Sequence, residues 1–399
     1  MKLADRMERI GTETAFEAAA RARALEATGR DVIHLEIGEP DFDTPRNVSE
    51  AAADALLNRG MTHYTAATGI APLKDAIVAD VRRWKGIETT PEQVIVTPGA
   101  KPIMFYAMLA LLAEGDEAIY PNPGFPIYAS MIEFVGATAV AAPLREEREF
   151  RMDVDEVASL VTERTRLIVL NSPQNPSGSV LTDADLRAVA ELAVAHDLVV
   201  LTDEIYGRLQ YEGKPLSIAT LPGMDERTIT LDGFSKTYAM TGWRMGYGIV
   251  PQWLAPAFST LVINSVSCTN AFAQAGAVEA LVGPQDAADA MRAEFIARRA
   301  QVIDGLNGIP GVRCAMPHGA FYAFPNVSSY GRSSVEIADH LLYDAGICVL
   351  AGTAFGRFGE GYLRLSYANS RENLALALER IAASLARLER SGQPVGAAS

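Results

Sequence analysis

The chain has 399 residues, of which 49% are hydrophobic and 21% are charged, as in ordinary globular proteins and unlike disordered or fibrous ones. Its net charge of −14 argues against a general binder of nucleic acids or anionic membranes, because a negative field repels phosphates. Its length predicts two domains.

The N-terminal residues have the charged, amphipathic pattern of a helix and lack the apolar core of a secretory signal. No apolar run is long enough to span a membrane, so we expect no membrane partner and a cytoplasmic location. The three cysteines, Cys268, Cys314 and Cys348, are widely separated and are predicted to be reduced thiols.

From about residue 45, short β-rich runs alternate with longer helical patterns, which is typical of βα units around a parallel sheet. Several runs, such as RLIVLN, are continuously apolar, and this predicts strands covered by helices on both faces. The predicted strands are 94–97, 117–121, 138–142, 167–171, 198–203, 228–232 and 246–250.

Helices are predicted near Gly99, after Thr182, over about 286–306 and over about 371–387. Between the last two lie four short β-type runs, GVRC (311–314), AFYAF (320–324), ICVL (347–350) and YLRLSY (362–367), which predict a smaller α+β unit. We therefore predict an α/β fold with a mainly parallel central sheet between layers of helices and a smaller α+β domain. The predicted division is an N-terminal segment 1–44 joining the small domain, a large domain 45–285, a C-terminal small domain 286–390 and a disordered tail 391–399.

Polar residues follow three of the predicted strands, at the edge where open α/β sheets bind ligands. Asp203 ends an apolar strand, an unfavourable place for a carboxylate unless a cation meets it. Asn171 and Asn175 lie in NSPQNPSG after another strand, and Lys236 follows a third in LDGFSKTYAMTGWR. Taken singly, these residues have ordinary explanations as a cap, a tight turn and a surface charge. Glycine-rich nucleotide loops and histidine clusters with ligand spacing do not occur, so no metal site is predicted.

Taken together, six ordered motifs and a C-terminal seventh cover nearly the whole chain. In this order and spacing they resemble the class I pyridoxal-phosphate-dependent aminotransferases of fold type I, and among these the bacterial aspartate aminotransferases. The motifs are GEPDFDTP (38–45), YTAATG (64–69), TPGAK (97–101), NSPQNPSG (171–178), TDEIY (202–206), FSKTYAMTGWRMGY (234–247) and RLSYA (364–368).

The resemblance implies that the large domain binds pyridoxal 5′-phosphate through residues with distinct tasks. Lys236 would form the Schiff base and shuttle the proton. Asp203 would pair with the ring nitrogen, and this partner would explain a buried carboxylate. Tyr206 and Asn175 would donate to the phenolate oxygen, and Phe125 would stack on the ring.

For the cofactor's phosphate, the resemblance implies a helix N-terminus, a hydroxyl and an arginine fork. At Gly233 some members of the family carry a phosphate-binding serine, which this chain lacks. An additional contact would come from the neighbouring subunit, which implies a homodimer with shared active sites. The residues in these roles are Gly99, Ala100 and Lys101 at the helix start, Ser235, Arg244, and Tyr64 from the neighbour.

For the substrate, the resemblance implies that Arg364 grips the α-carboxylate and that Gly38 lets the backbone approach it. Phe125 and Asn175 would also contact the substrate. Lys101 would offer its ammonium group to a distal carboxylate; the alternative is that it serves the phosphate field or points to solvent. Binding would then draw the small domain closed over the cofactor.

The function implied is amino transfer between an L-amino acid, best assigned as aspartate or glutamate, and a 2-oxoacid such as 2-oxoglutarate, in a ping-pong cycle. If Lys101 has no substrate role, neutral and aromatic donors are equally open. A carbon–sulfur lyase that uses the same cofactor is a second enzymatic reading. A transcription regulator with an aminotransferase-like sensor fits poorly, because the motifs begin at residue 38 and the net charge is negative.

Overall fold

A seven-stranded sheet forms the centre of the protein, whose computed structural model describes residues 2–391. The predicted tail 391–399 therefore lies outside the described residues, except for residue 391. The strands are β1 Ile33–His34, β2 Val94–Pro98, β3 Glu117–Asn122, β4 Thr138–Pro143, β5 Thr165–Asn171, β6 Val199–Asp203, β7 Thr228–Gly233, β8 Met245–Ile249, β9 Tyr322–Ala323, β10 Ile347–Cys348, β11 Leu350–Ala351 and β12 Leu363–Ser366. The helices are α1 Thr14–Glu26, α2 Arg46–Leu57, α3 Ala71–Lys85, α4 Lys101–Leu111, α5 Ile127–Phe134, α6 Val154–Leu160, α7 Asp183–Ala195, α8 Ala255–Ser265, α9 Ala271–Val282, α10 Asp286–Asn307, α11 Ser334–His340 and α12 Arg371–Ser391.

The central sheet has the strand order β2-β8-β7-β6-β5-β3-β4. β8 runs antiparallel to both of its neighbours, and the remaining pairs are parallel. All seven strands predicted between residues 94 and 250 belong to this sheet, so the prediction of a mainly parallel α/β fold is confirmed.

Helices cover both faces of the sheet, as the continuous apolar runs predict. In β5, Leu167 and Val169 belong to one buried core, whereas Ile168 and Leu170 belong to another that also contains residues of α7. Alternate side chains of one strand point to opposite faces, so both faces of β5 are buried.

Two of the helices begin where the sequence predicts them to begin. The Thr182 hydroxyl accepts a hydrogen bond from the Asp185 backbone N–H at 3.1 Å and caps α7. α10 begins at Asp286, as predicted.

The C-terminal part contains an antiparallel sheet of order β11-β12-β9, and β10 pairs in parallel with β1 from the N-terminal segment. The prediction of a strand over 311–314 is wrong. Gly311 has a φ of 80°, which breaks the extended backbone, and Arg313 makes only an isolated bridge with Asn326. The domain boundaries stay a prediction. Within residues 2–391, no helix combines the length and apolarity needed to cross a bilayer.

Candidate active site

A cavity of about 520 Å³ lies at the edge of the central sheet where the parallel strands end. Asn171 and Asp203, the last residues of β5 and β6, line it side by side, because these two strands are neighbours in register. This is the edge at which open α/β sheets bind ligands.

Asp203 is buried in the floor of the cavity, with 3% of its surface exposed. The Tyr128 hydroxyl donates to its Oδ2 at 2.6 Å, and the Ile205 backbone N–H donates to its Oδ1 at 3.2 Å. Burial raises the pKa of the Asp203 carboxyl to about 6, although both hydrogen bonds oppose the rise. A cation facing this carboxylate would stabilise its ionised form.

Polar groups from separate segments surround Asp203. The hydroxyl groups of Tyr206 and Tyr322 are hydrogen-bonded at 2.7 Å, and burial raises the pKa of the Tyr206 phenol well above its ordinary value. The Asn171 amide donates to the Asp203 carbonyl at 3.1 Å, while its oxygen accepts the backbone N–H of Asn175 at 2.9 Å. The turn after β5 is therefore fixed to the end of β6, and the Asn175 side chain lines the cavity.

Lys236 lies three residues beyond the end of β7, and its amine enters the cavity. The amine donates to the carbonyl of Gly38, and it lies 5.9 Å from the centre of the Phe321 ring. Burial lowers the pKa of the Lys236 ammonium to about 8, and the nearby Arg364 cation contributes to this shift. A lysine of this kind is deprotonated far more readily than a surface lysine and can act as a nucleophile or a base.

The N-terminus of α4 opens towards the cavity and is suited to an anion. The first backbone N–H groups of a helix have no intrahelical partner, and the helix dipole favours negative charge there. Gly99 precedes the helix with a φ of 81°, and a Cβ at this position would collide with the guanidinium of Arg244. Ala100, Ser235 and Arg244 all line the same cavity.

Arg364 provides a second cationic group in the lining of the cavity. It is 3% exposed, and its guanidinium packs 4.6 Å from the Tyr322 ring centre. Its Nη2 donates to the carbonyl of Glu36, whereas its Nε has no hydrogen-bond partner among the described residues. Burial lowers the pKa of Arg364. A buried guanidinium with an unmatched donor is suited to a planar carboxylate. Gly38 lies against the same tyrosine, because a Cβ there would collide with the Tyr322 hydroxyl.

The outer wall of the cavity contains Lys101, Phe125 and Glu13. The Lys101 ammonium lies 5.4 Å from the centre of the Phe125 ring and forms an ion pair with the Glu13 carboxylate. Phe125 itself packs edge-on against Tyr128, with the ring centres 5.7 Å apart.

The cavity collects eleven of the thirteen residues that the sequence assigned to the site. They are Gly38, Ala100, Lys101, Phe125, Asn175, Asp203, Tyr206, Ser235, Lys236, Arg244 and Arg364. Gly99 lies behind Arg244. Tyr64 does not line the cavity and is 90% exposed.

Sequence reasoning missed Tyr128, Tyr322 and Glu13 as residues of this site. Tyr128 could have been noticed as the residue with a polar hydroxyl group three positions after Phe125 in NPGFPIY. Tyr322 lies in an apolar run and Glu13 in a charged N-terminal segment, so neither carries a local signal. At Gly233, where the sequence departs from the expected serine, a Cβ would come within 3.1 Å of the Gly246 Cα on β8.

Comparison with known proteins gives a consistent match. A family model described as aminotransferase class I and II matches residues 30–381. The chain is 42% identical to an aspartate aminotransferase of Pyrococcus abyssi over 358 residues, which cover 88% of this chain and 91% of the relative. It is 40% identical to aromatic-amino-acid aminotransferase 2 of Thermococcus litoralis over 387 residues, or 96% and 97% of the two chains. The crystal structure of the aspartate aminotransferase from Rhizobium meliloti matches with a TM-score of 0.93 at 38% identity, covering 97% and 99% of the chains.

Proposed function

Since this chain belongs to the class I and II aminotransferase family and is an enzyme of amino-group transfer, we propose that it uses pyridoxal 5′-phosphate bound around Lys236. We propose aspartate or glutamate as the amino donor and 2-oxoglutarate as the acceptor. The observation that supports this most is that one cavity is lined by a lysine of lowered pKa, a buried carboxylate and a helix N-terminus flanked by an arginine.

The donor set of the cavity fits this cofactor. The N-terminus of α4, Ser235 and Arg244 suit its phosphate, because backbone N–H groups, a hydroxyl and a guanidinium all donate to anions. The buried Asp203 suits a protonated ring nitrogen, which would supply the cation that this carboxylate lacks. The Lys236 amine suits an aldehyde. The unmatched Nε of Arg364 leaves a donor for the substrate's α-carboxylate.

When bound, the cofactor supplies a carbonyl group that receives the amino group and a ring that withdraws electrons from the reacting carbon. Asp203 would keep the ring nitrogen protonated, and Tyr206 and Asn175 would donate to the ring oxygen. Arg364 and the backbone at Gly38 fix the α-carboxylate. The Lys236 amine, displaced by the incoming amine, would take the proton from the α-carbon of the amino acid as a base and would then, as an acid, deliver it to the cofactor carbon that carries the amino group.

The choice of acidic substrates depends on Lys101, whose ammonium lies on the cavity wall. Two of the relatives point in different directions, because one is named an aspartate and the other an aromatic-amino-acid aminotransferase. A neutral or aromatic donor is therefore the second candidate. A carbon–sulfur lyase would need the same cofactor residues, and its products distinguish it from an aminotransferase.

The proposal extends to assembly and location. We propose a homodimer in which Tyr64 of each subunit reaches the phosphate site of the other, an arrangement that its 90% exposure permits. Residues 1–44 and 286–390 would form the small domain, and the pairing of β1 with β10 supports this grouping. We also propose that the enzyme acts in the cytoplasm on small-molecule substrates.

The test is a donor panel with purified, cofactor-loaded protein and 2-oxoglutarate. Transfer of the amino group from aspartate to 2-oxoglutarate, which forms oxaloacetate and glutamate, supports the proposal. A parallel incubation with cystathionine gives pyruvate and ammonia if the enzyme is a carbon–sulfur lyase. Formation of these products without any amino transfer would overturn the proposed function. Light scattering measures the dimer separately, and a monomer that is fully active would contradict the shared site.

A further inference from the structure

Glu13 occupies a position on the wall of the active-site cavity that the proposed reaction does not use. It immediately precedes α1, and its carboxylate pairs with the ammonium of Lys101, the first residue of α4. The Glu13 side chain is 19% exposed and that of Lys101 is 44% exposed. The pair therefore lies at the mouth of the cavity, beside Phe125, where solvent screens it only in part.

The pair meets a requirement that arises from the reaction itself. In a ping-pong cycle, two substrates with different side chains bind in turn to one pocket, while Arg364 meets the α-carboxylate that both share. An acidic side chain gains from a free ammonium group, whereas an apolar side chain placed against an unpaired ammonium removes water from it without compensation. One fixed charge cannot serve both substrates well.

We propose that Glu13 is a specificity-determining residue, an internal carboxylate that holds Lys101 when the substrate side chain is uncharged and is displaced when the substrate brings a carboxylate of its own. This inference rests on the proposed function, because it takes Lys101 to face the substrate side chain. With Glu13 in place, the side-chain end of the pocket has no net charge and admits aromatic or aliphatic groups. When a dicarboxylate binds, one carboxylate replaces another on the same ammonium group.

The exchange has a defined consequence for affinity. A dicarboxylate must compete with Glu13, so its binding is weaker than that to a free Lys101, and the apolar substrate avoids an unpaired cation. Glu13 therefore narrows the difference in binding affinity between the acidic and the apolar substrates. Its printed ion pair is with Lys101, whereas its charge reaches Lys236 and Arg364 only at longer range, so removing it should act on both substrate classes weakly through Arg364 and selectively through Lys101.

The test is Glu13→Gln in the cofactor-loaded enzyme, with Glu17→Gln as the matched control, since Glu17 lies on the exposed surface of the same helix and does not line the cavity. Calorimetry measures binding of succinate and of 3-phenylpropionate, which mimic the two substrate classes and lack an amino group. We expect Glu13→Gln to tighten succinate binding by about two- to fivefold, the range of one partly exposed charged contact, and to leave the binding of 3-phenylpropionate unchanged or weaker. Glu17→Gln is expected to alter neither.

The ratio of kcat/KM for aspartate over phenylalanine is expected to rise by the same factor in Glu13→Gln. In a Lys101→Met background, Glu13→Gln is expected to change the ratio of the two binding constants less than it does in the unmodified enzyme, because the competition for the cation is gone and only direct repulsion between carboxylates is relieved. Equal changes for succinate and 3-phenylpropionate, or an unchanged ratio in Glu13→Gln, would overturn the inference while amino transfer by the unmodified enzyme still stands. Absence of transfer with every donor would instead refute the proposed function.

Discussion

Replacing Lys85 by Met tests whether a buried ion triad holds together the two strands that carry the site. The Lys85 ammonium, at the end of α3, lies 2.8 Å from Glu204 Oε2 and 2.7 Å from Asp232 Oδ2. These side chains are only 5%, 10% and 13% exposed. Glu204 follows Asp203 directly, and Asp232 lies four residues before Lys236. Lys85 therefore joins the ends of β6 and β7 at the edge that forms the cavity.

The expected loss follows from leaving two buried carboxylates without their cation. Removing one partner of a buried ion pair costs about 3–5 kcal/mol. At about 2.1 cal/mol/K per residue, the 399 residues have an unfolding entropy of about 0.8 kcal/mol/K. Lys85→Met should therefore lower Tm by about 4–6 °C. Lys74→Met is the matched control, because Lys74 lies on the same helix, is half-buried and donates only to the Thr68 hydroxyl at 3.3 Å.

The loss of stability in Lys85→Met should increase as the pH rises. Burial raises the pKa of the Asp232 carboxyl in spite of the attraction of Lys85, and without Lys85 the pKa rises further. The folded variant then binds this proton more tightly than the unfolded chain does, so its stability falls as the pH rises. Thermal melts of both variants at pH 5.5 and pH 8 should show a larger loss for Lys85→Met at pH 8.

Adding Asp232→Asn to Lys85→Met should restore part of the stability at pH 8, because one of the two unpaired charges is removed. The reasoning is refuted if Lys85→Met melts within about 1 °C of Lys74→Met. A deficit that is independent of pH, or a double variant that is less stable than Lys85→Met at pH 8, would refute the assignment to charge.

Four further outcomes are expected. Lys236→Ala should give no cofactor adduct in mass spectra after borohydride reduction and no amino transfer, and retention of either would contradict the role of this lysine. Because the pKa of Lys236 is about 8, cofactor uptake by the apoenzyme should accelerate with pH around a midpoint near 8, whereas a midpoint near the ordinary 10.5 would contradict the burial argument. Arg364→Leu should weaken the binding of all α-amino acids about 10- to 100-fold and leave cofactor binding intact, because a charged hydrogen bond is worth about 1.5–3 kcal/mol. A loss of affinity confined to dicarboxylic substrates would mean that the wrong carboxylate was assigned to Arg364. Tyr128→Phe should raise the pKa of Asp203 and move the acid limb of kcat/KM upward by about one pH unit, since a hydrogen bond to a carboxylate is worth about 1.5 kcal/mol or more, and an unmoved limb would show that this bond does not tune Asp203.

The parts of the fold predicted from the sequence are those with a local physical cause. Continuous apolar runs identify β5 and β6 because strands buried on both faces have no polar side. The cap at Thr182 identifies the start of α7 because a hydroxyl there satisfies a free N–H group. The run 311–314 has the composition of a strand but fails to form one, since strand formation also needs a neighbour over several residues and the positive φ of Gly311 prevents this.

The sequence by itself determined the sheet and the kinds of group at its edge, because the apolar pattern and the polar residues after each strand are written locally along the chain. Only the tertiary structure decided which groups meet. The Tyr128 hydroxyl reaches Asp203 across 75 residues, Glu13 reaches Lys101 across 88, and Arg364 reaches the Glu36 carbonyl across 328. Such contacts depend on how helices and strands pack against each other, and no local pattern encodes the partner of a single polar side chain. The same packing excludes water from Asp203 and Lys236 and so sets their pKa values, which composition could not supply.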